Sequence, residues 1–260
     1  MNSQATLQLT GLNVVIHPGL SLQDIELSIR PGEVAAVIGP NGAGKTSLLR
    51  AICDELESSA GRVELNQRNW QQWPQQERAK IVSILPQRST LEFPFTVNEV
   101  VNLGRIPHST SAQENHRIVT AALELVDCAQ FAEQFYLNLS GGEKQRVQLA
   151  RVAAQIWSTQ ADNRCLILDE PSASLDLAHQ ARIVEMIRFF AEQGVAVVTV
   201  LHDLNLASKC ADKFLLLDKG KTVASGSAEE VLTEQIIGET FGVQAQVGTN
   251  ERDGSRLIIT

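Results

Sequence analysis

The octapeptide Gly39-Pro40-Asn41-Gly42-Ala43-Gly44-Lys45-Thr46 carries the densest chemistry in the chain. Gly42 and Gly44 allow backbone conformations that a side chain would forbid, so successive N–H groups can turn toward one anion. Lys45 adds a mobile positive charge, and the Thr46 hydroxyl is an oxygen ligand for a hard cation. The octapeptide follows the apolar run Val34 to Ile38 and precedes Leu48, Leu49, Ile52 and Leu56 at helical spacing. Strand, glycine-rich loop, lysine, hydroxyl and helix together make the G-x-x-x-x-G-K-[ST] phosphate-binding pattern in its proper setting. The helix adds unpaired N–H groups and the positive end of its dipole. This stretch predicts binding of a nucleoside triphosphate with Mg²⁺, Lys45 reaching the β- and γ-phosphates and Thr46 the metal.

A second group of reactive side chains closes the apolar run Cys165-Leu166-Ile167-Leu168, where Asp169 and Glu170 stand side by side. Next to a phosphate loop, two carboxylates can divide the work. Asp169 would hold the metal, and Glu170 would orient or deprotonate an attacking water. Leu139-Ser140-Gly141-Gly142-Glu143 opens a helical pattern and admits two readings. One is another anion site at a helix N-terminus. The other is a plain capping box, with Ser140 as the cap and Glu143 three residues on.

Elements that would position these groups can be read from the periodicity. Leu7, Leu9, Leu12, Val14 and Ile16, then Leu20, Leu22, Ile25, Leu27 and Ile29, alternate as strands, with Gly11, Pro18-Gly19 and Pro31-Gly32 as punctuation. Strands are predicted over Gly61–Leu65 and Ile81–Leu85, and a buried one over Val195–Leu201. A hairpin is predicted from Phe214–Leu217 and Thr222–Ala224. Residues 88 to about 157 change character. Val97, Val100, Val101 and Leu103, then Ile118, Ala121, Ala122, Leu125 and Val126, have helical spacing, and a third helix runs from about Gly142 to Trp157. This predicts a helical insertion in an α/β core made of residues of about 1–87 and 158–232, with a polar link from Ser158 to Arg164 and a short tail at 233–260. Asp176 caps a further helix that Gly194 stops.

Composition bounds the function. The 260 residues carry a formal net charge of −8, which argues against a nucleic-acid surface. Four widely spaced cysteines form no C-x-x-C pair and read as reduced thiols. No apolar run approaches the roughly 18 residues needed to cross a bilayer, and no basic segment with an apolar run opens the chain. Any membrane role is therefore expected to come through a partner.

Taken together, Gly39 to Thr46, Gln87, LSGGEKQR at Leu139 to Arg146, LILDEP at Leu166 to Pro171, Ser174-Leu175-Asp176 and His202-Asp203 stand in the order of ABC transporter ATPase subunits, which the chain resembles from about residue 7 to 232. The resemblance implies a P-loop (RecA-like) ABC ATPase core of α/β class with an antiparallel β subdomain and a helical subdomain. It also implies site roles. Gln87 would sense Mg²⁺ or the attacking water. Ser140, Gly141 and Gly142 would contact the γ-phosphate of ATP held by the other copy of a homodimer. Asp176 would lie at that seam, and His202 would contact the γ-phosphate. Ser47 keeps a hydroxyl beside Thr46. The aromatic residue that the family stacks on adenine has no good counterpart, the nearest positions being Ile16 and His17. His17, His108, His116 and His179 otherwise read as ordinary histidines.

Finer marks resemble importers of iron chelates, haem and cobalamin. These are Thr96 to Val101, Gly104-Arg105-Ile106-Pro107, His202-Asp203-Leu204-Asn205, and Leu175-Asp176-Leu177-Ala178-His179-Gln180, with the haem importers nearest. That resemblance implies two integral membrane permease subunits, a periplasmic solute-binding protein, no nucleic acid, and a peripheral place on the cytoplasmic face of the inner membrane. Cobalamin or a ferric siderophore is the alternative cargo. A nucleotide switch without a membrane partner is the alternative of another class.

Overall fold

The computed structural model describes residues 4–87, 91–157 and 163–260. Most of the Ser158 to Arg164 link, and residues 88–90 at the start of the expected helical insertion, lie outside the described residues. The chain runs β1 (Leu7–His17), β2 (Leu20–Ile29), β3 (Val34–Ile38), α1 (Lys45–Ile52), β4 (Ser58–Leu65), β5 (Arg68–Asn69), α2 (Gln75–Ile81) and β6 (Val82–Leu85). The helices α3 (Val97–Asn102), α4 (Ala112–Leu125) and α5 (Gly141–Ile156) follow. Then come β7 (Cys165–Asp169), α6 (Leu177–Glu192), β8 (Ala196–Val200), α7 (Leu204–Cys210), β9 (Lys213–Asp218) and β10 (Lys221–Gly226). The chain closes with α8 (Ala228–Val231), α9 (Glu234–Phe241), β11 (Gln246–Thr249) and β12 (Arg256–Ile259).

Ten strands share one sheet in the order β5-β4-β1-β2-β10-β9-β3-β8-β7-β6. The first four are antiparallel, whereas β9, β3, β8, β7 and β6 run parallel. One residue pair, Lys221 with Gln23, joins the two halves. The parallel strands are covered on both faces, which is why they read as unbroken apolar runs. Along β3, Val34, Ala36 and Ile38 enter the core under α5 and α6, while Ala35 and Val37 enter the core shared with α1, β1 and β2.

Two predicted elements differ in detail. Gly11 was expected as punctuation between strands, yet β1 runs through it. The register shifts there, and Gly11 takes φ +55°. A Cβ on Gly61 of the neighbouring strand would stand 2.2 Å from the Gly11 carbonyl oxygen, so the two backbones cross at a glycine bulge. Ile81 ends helix α2 rather than opening β6. The hairpin of β9 and β10 and the helix opening near Gly142 stand where they were expected.

Three devices tie the helical stretch together. Thr96 caps α3 through a reciprocal bond with Glu99. The buried Arg105 donates to the carbonyls of Ala154 at 2.6 Å and Trp157 at 3.2 Å, closing the C-terminal end of α5. Gly104 gives α5 room, since a Cβ there would stand 2.3 Å from the Arg151 carbonyl oxygen. The segment read as a tail is folded. Asn205 of α7 pairs through its side-chain amide with both backbone groups of Ile258, which is buried.

Candidate functional site

Four neighbouring parallel strands end together. Val37 of β3 pairs with Val200 of β8, Val200 with Asp169 of β7, and Leu168 with Leu85 of β6. The residues just past these ends are the loop Gly39 to Gly44, His202, Glu170 and Gln87. The carboxyl edge of a parallel sheet is where α/β folds bind ligands. Here that edge forms an open pocket of about 260 Å³, lined by Gly42, Lys45, Thr46, Gln87, Glu170 and His202 among others.

The phosphate-loop geometry follows from its glycines. Gly39 is buried with φ +144°, and a Cβ on it would stand 2.0 Å from the Leu217 carbonyl oxygen. Gly44 takes φ +102° at the N-terminus of α1. The Lys45 ammonium donates to the carbonyls of Gly39 at 2.7 Å and Pro40 at 3.0 Å, closing the loop on itself. Burial lowers the pKa of Lys45, against the opposing pull of Glu170 and Asp169.

The Thr46 hydroxyl donates to Asp169 Oδ1 at 3.2 Å, joining α1 to the end of β7. Asp169 is 4 % exposed, and burial pushes its carboxyl up to about 6 despite the Thr46 hydroxyl, His202 and Lys45. Its carboxylate lines a second cavity of about 260 Å³ between α1 and the ends of β6 and β7, which Thr46 and Gln87 share. Glu170 leaves the strand at φ +51°, a left-handed conformation that costs a residue with a side chain about 1–3 kcal/mol. Its Oε1 lies 2.6 Å from His202 Nε2, so carboxylate and imidazole face one pocket as a pair. Asp203 holds that arrangement from behind by capping α7, accepting from the N–H groups of Asn205 and Leu206.

Ser140, Gly141, Gly142 and Asp176 do not line this pocket. They form a second patch, with Ser140, Gly141 and Asp176 exposed and Gly142 packed against Ser174 and Leu175. Ser140 donates its backbone N–H and its hydroxyl to Glu143 Oε2, each at 2.7 Å, and accepts from the Glu143 N–H. The capping box is therefore formed. Asp176 caps α6. Beside it Leu177 is 84 % exposed on the first turn of α6.

Residue spacing alone missed Leu20. The two positions read for base stacking, Ile16 and His17, end β1. Ile16 packs toward Gly44, and His17 is exposed with Nδ1 against the Pro18 carbonyl oxygen. Leu20, across the turn from His17, lines the pocket. The pairing of His17 with Leu20 at the β1–β2 turn was the available signal.

Residues 22–173 match the model of the family described as ABC transporter. The chain is 46% identical over 254 residues to hemin import ATP-binding protein HmuV of Pseudomonas entomophila, covering 98% of this chain and 99% of that protein. It is also 46% identical to the HmuV of Gloeobacter violaceus, covering 97% and 93%. Among solved structures, an inward-facing, metal-chelate type ABC transporter superposes with a TM-score of 0.81 at 23% identity, covering 98% of this chain and 97% of that one. The cbiO1 protein of Clostridium perfringens, part of the cbiONQ transporter complex, superposes with a TM-score of 0.74 at 24% identity, covering 90% and 93%. The chain belongs to the ABC transporter family and is an ATP-binding ATPase subunit of it.

Proposed function

We propose that this chain powers haem import by hydrolysing ATP as one of two identical copies that share their sites. The observation that carries the hydrolytic part is the convergence of Lys45, Glu170, His202 and Gln87 on one pocket at the ends of four parallel strands. The triphosphate lies along Gly39 to Ser47, its charge met by Lys45 and the N-terminus of α1. Leu20 lies against the base. Glu170 accepts a proton from the water that attacks the γ-phosphorus. The bond to the bridging oxygen breaks, and ADP and phosphate leave. His202 orients Glu170 through their 2.6 Å contact and stabilises the γ-phosphate charge.

The Mg²⁺ that accompanies ATP fits the residues present. The Thr46 hydroxyl and Asp169 carboxylate are hard oxygen donors 3.2 Å apart, with Gln87 beside them. Held by Thr46 and Asp169, the ion would supply positive charge against the phosphate oxygens.

Two features support the shared site. Ser140 to Gly142 and Asp176 stand outside the pocket on an exposed patch, and Leu177 beside them is bare. A second copy laid over the pocket would supply the first and cover the other. Closure completes each site, and its release moves the helical unit of residues about 88–157 against two permease subunits that a periplasmic binding protein feeds. Among the described residues no helix is long and apolar enough to cross a membrane. From the likeness to hemin import ATP-binding proteins we assign the chain a peripheral place on the cytoplasmic face of the inner membrane.

Haem is assigned from the likeness to hemin import ATP-binding proteins over nearly the whole chain. Reconstitution with the permease and binding protein tests it. ATP-dependent uptake of haem, without uptake of cobalamin or a ferric siderophore, is the expected result. Uptake of either of the others alone would reassign the cargo, and ATP turnover that no permease stimulates would leave only a nucleotide switch.

A further inference from the structure

His179 looks unremarkable in the sequence, but the fold sets it between two acidic side chains from different parts of the chain. Its Nδ1 lies 2.7 Å from Asp176 Oδ1, which also accepts its backbone N–H at 2.9 Å. A carboxylate can only accept, so Nδ1 carries the hydrogen. The other ring nitrogen, Nε2, faces Asp127 Oδ2 at 3.8 Å, an ion-pair distance that attracts when this nitrogen too carries a hydrogen. Asp127 follows α4 and takes φ +55°. It is held there by the buried Arg146, which donates to the carbonyls of Val126 and Asp127 and sits 3.7 Å from the Asp127 carboxylate.

Arg146 lies one helical turn beyond Gly142, so both project from the same face of α5. Gly142 meets the loop before α6 directly, since a Cβ there would stand 3.3 Å from the Ser174 carbonyl oxygen. The contacts thus close a ring from Gly142 through Arg146, Asp127, His179, Asp176 and Ser174.

We propose that His179 is a positioning residue that fastens the Asp176 loop to the helical unit, so that Ser140 to Gly142 and Asp176 reach the second copy as one rigid half-site. This rests on the shared-site reading above. Without the fastening, the two halves of the patch would have to be ordered separately at closure, and closure would weaken.

The test uses the full chain carrying Glu170→Gln, whose ATP-dependent dimerisation is followed by light scattering. His179→Ala should raise the ATP concentration for half-dimerisation about tenfold, with nucleotide affinity of the monomer unchanged. His179→Asn can still donate to Asp176 but cannot reach Asp127, and should behave like the alanine variant. Asp127→Asn, on the far side of the ring, should show a comparable loss, and the pair His179→Ala with Asp127→Asn should be no worse than either alone. Full dimerisation by His179→Asn would reduce the residue to a helix cap and overturn the proposal, as would losses that multiply in the pair. If Glu170→Gln itself fails to dimerise with ATP, the shared site falls and this proposal with it. If it dimerises and the ring variants match it, only this proposal falls.

Discussion

Replacing Asp169 by asparagine should stabilise the chain while it disables the site. The carboxylate is 4 % exposed at the end of β7, and burial lifts its pKa from 3.8 to about 6. That rise corresponds to about 3 kcal/mol, and water reaching the carboxylate from the adjoining cavity reduces the usable figure to about 1–3 kcal/mol. The sign follows from proton linkage. Below about pH 4 the carboxyl is protonated in both folded and unfolded chains and contributes nothing. Between about pH 4 and 6 the unfolded chain gives up the proton while the folded chain keeps it, so stability falls as pH rises. Above about pH 6 the cost is complete. Asparagine bears no charge and still accepts from the Thr46 hydroxyl. Urea unfolding at pH 8 should therefore show Asp169→Asn more stable by about 1–3 kcal/mol, with Tm higher by about 2–4 °C for each kcal/mol. At pH 5 the gain should shrink to about half. Addition of Mg²⁺ and ATP should raise the unfolding midpoint of the natural chain more than that of the variant. A variant less stable at pH 8, or a gain that does not change with pH, would refute the assignment of a buried, charged Asp169.

Three further outcomes are expected. Glu170→Gln should bind ATP with little change yet hydrolyse it at least about a hundredfold more slowly, as loss of a general base requires, and normal turnover in the assembled transporter would remove Glu170 from that role. Gly39→Ala places a methyl group 2.0 Å from the Leu217 carbonyl oxygen and should cost about 3 kcal/mol or more in urea unfolding. Gly42→Ala meets no atom within 4 Å and should cost only the roughly 1–2 kcal/mol of its positive φ, so equal losses would contradict the loop geometry. Leu20→Ala should raise the KM for ATP about fivefold with kcat kept, and an unchanged KM would place the base elsewhere.

The parts of the fold that were legible in the sequence are those whose side chains face one environment. The runs Val34–Ile38 and Cys165–Leu168 are buried on both faces, and their abrupt ends at Gly39 and Asp169 mark the edge where the chemistry gathers. Helix α2 was not legible because it has no buried residue and hence no apolar stripe. The hairpin of β11 and β12 was missed for a related reason. Only Ile258 of its eight residues is buried; it stands opposite Val247, and its backbone groups pair with the side chain of Asn205 in α7. At Ser140 the two readings did not exclude each other. The capping box fixes the first turn of α5, and Ser140 and Gly141 stay exposed. The contact of His179 with Asp127 crosses from α6 to the end of α4, and no local spacing encodes it. The Gly104-Arg105 pair carried a resemblance in the sequence, and the structure gives it a physical task in closing the end of α5.

The shared site is tested most directly by mixing two disabled chains in the reconstituted transporter. Lys45→Ala removes the triphosphate's main cationic partner, and Ser140→Arg overfills the patch that a second copy must present, so each variant alone should be inactive. In a mixed pair, the intact loop of the Ser140→Arg chain meets the intact Ser140 of the Lys45→Ala chain, and one complete site is restored. ATP turnover should therefore reappear on mixing. Continued silence of mixed pairs that do assemble, or full turnover by Ser140→Arg alone, would mean that each chain encloses its own nucleotide.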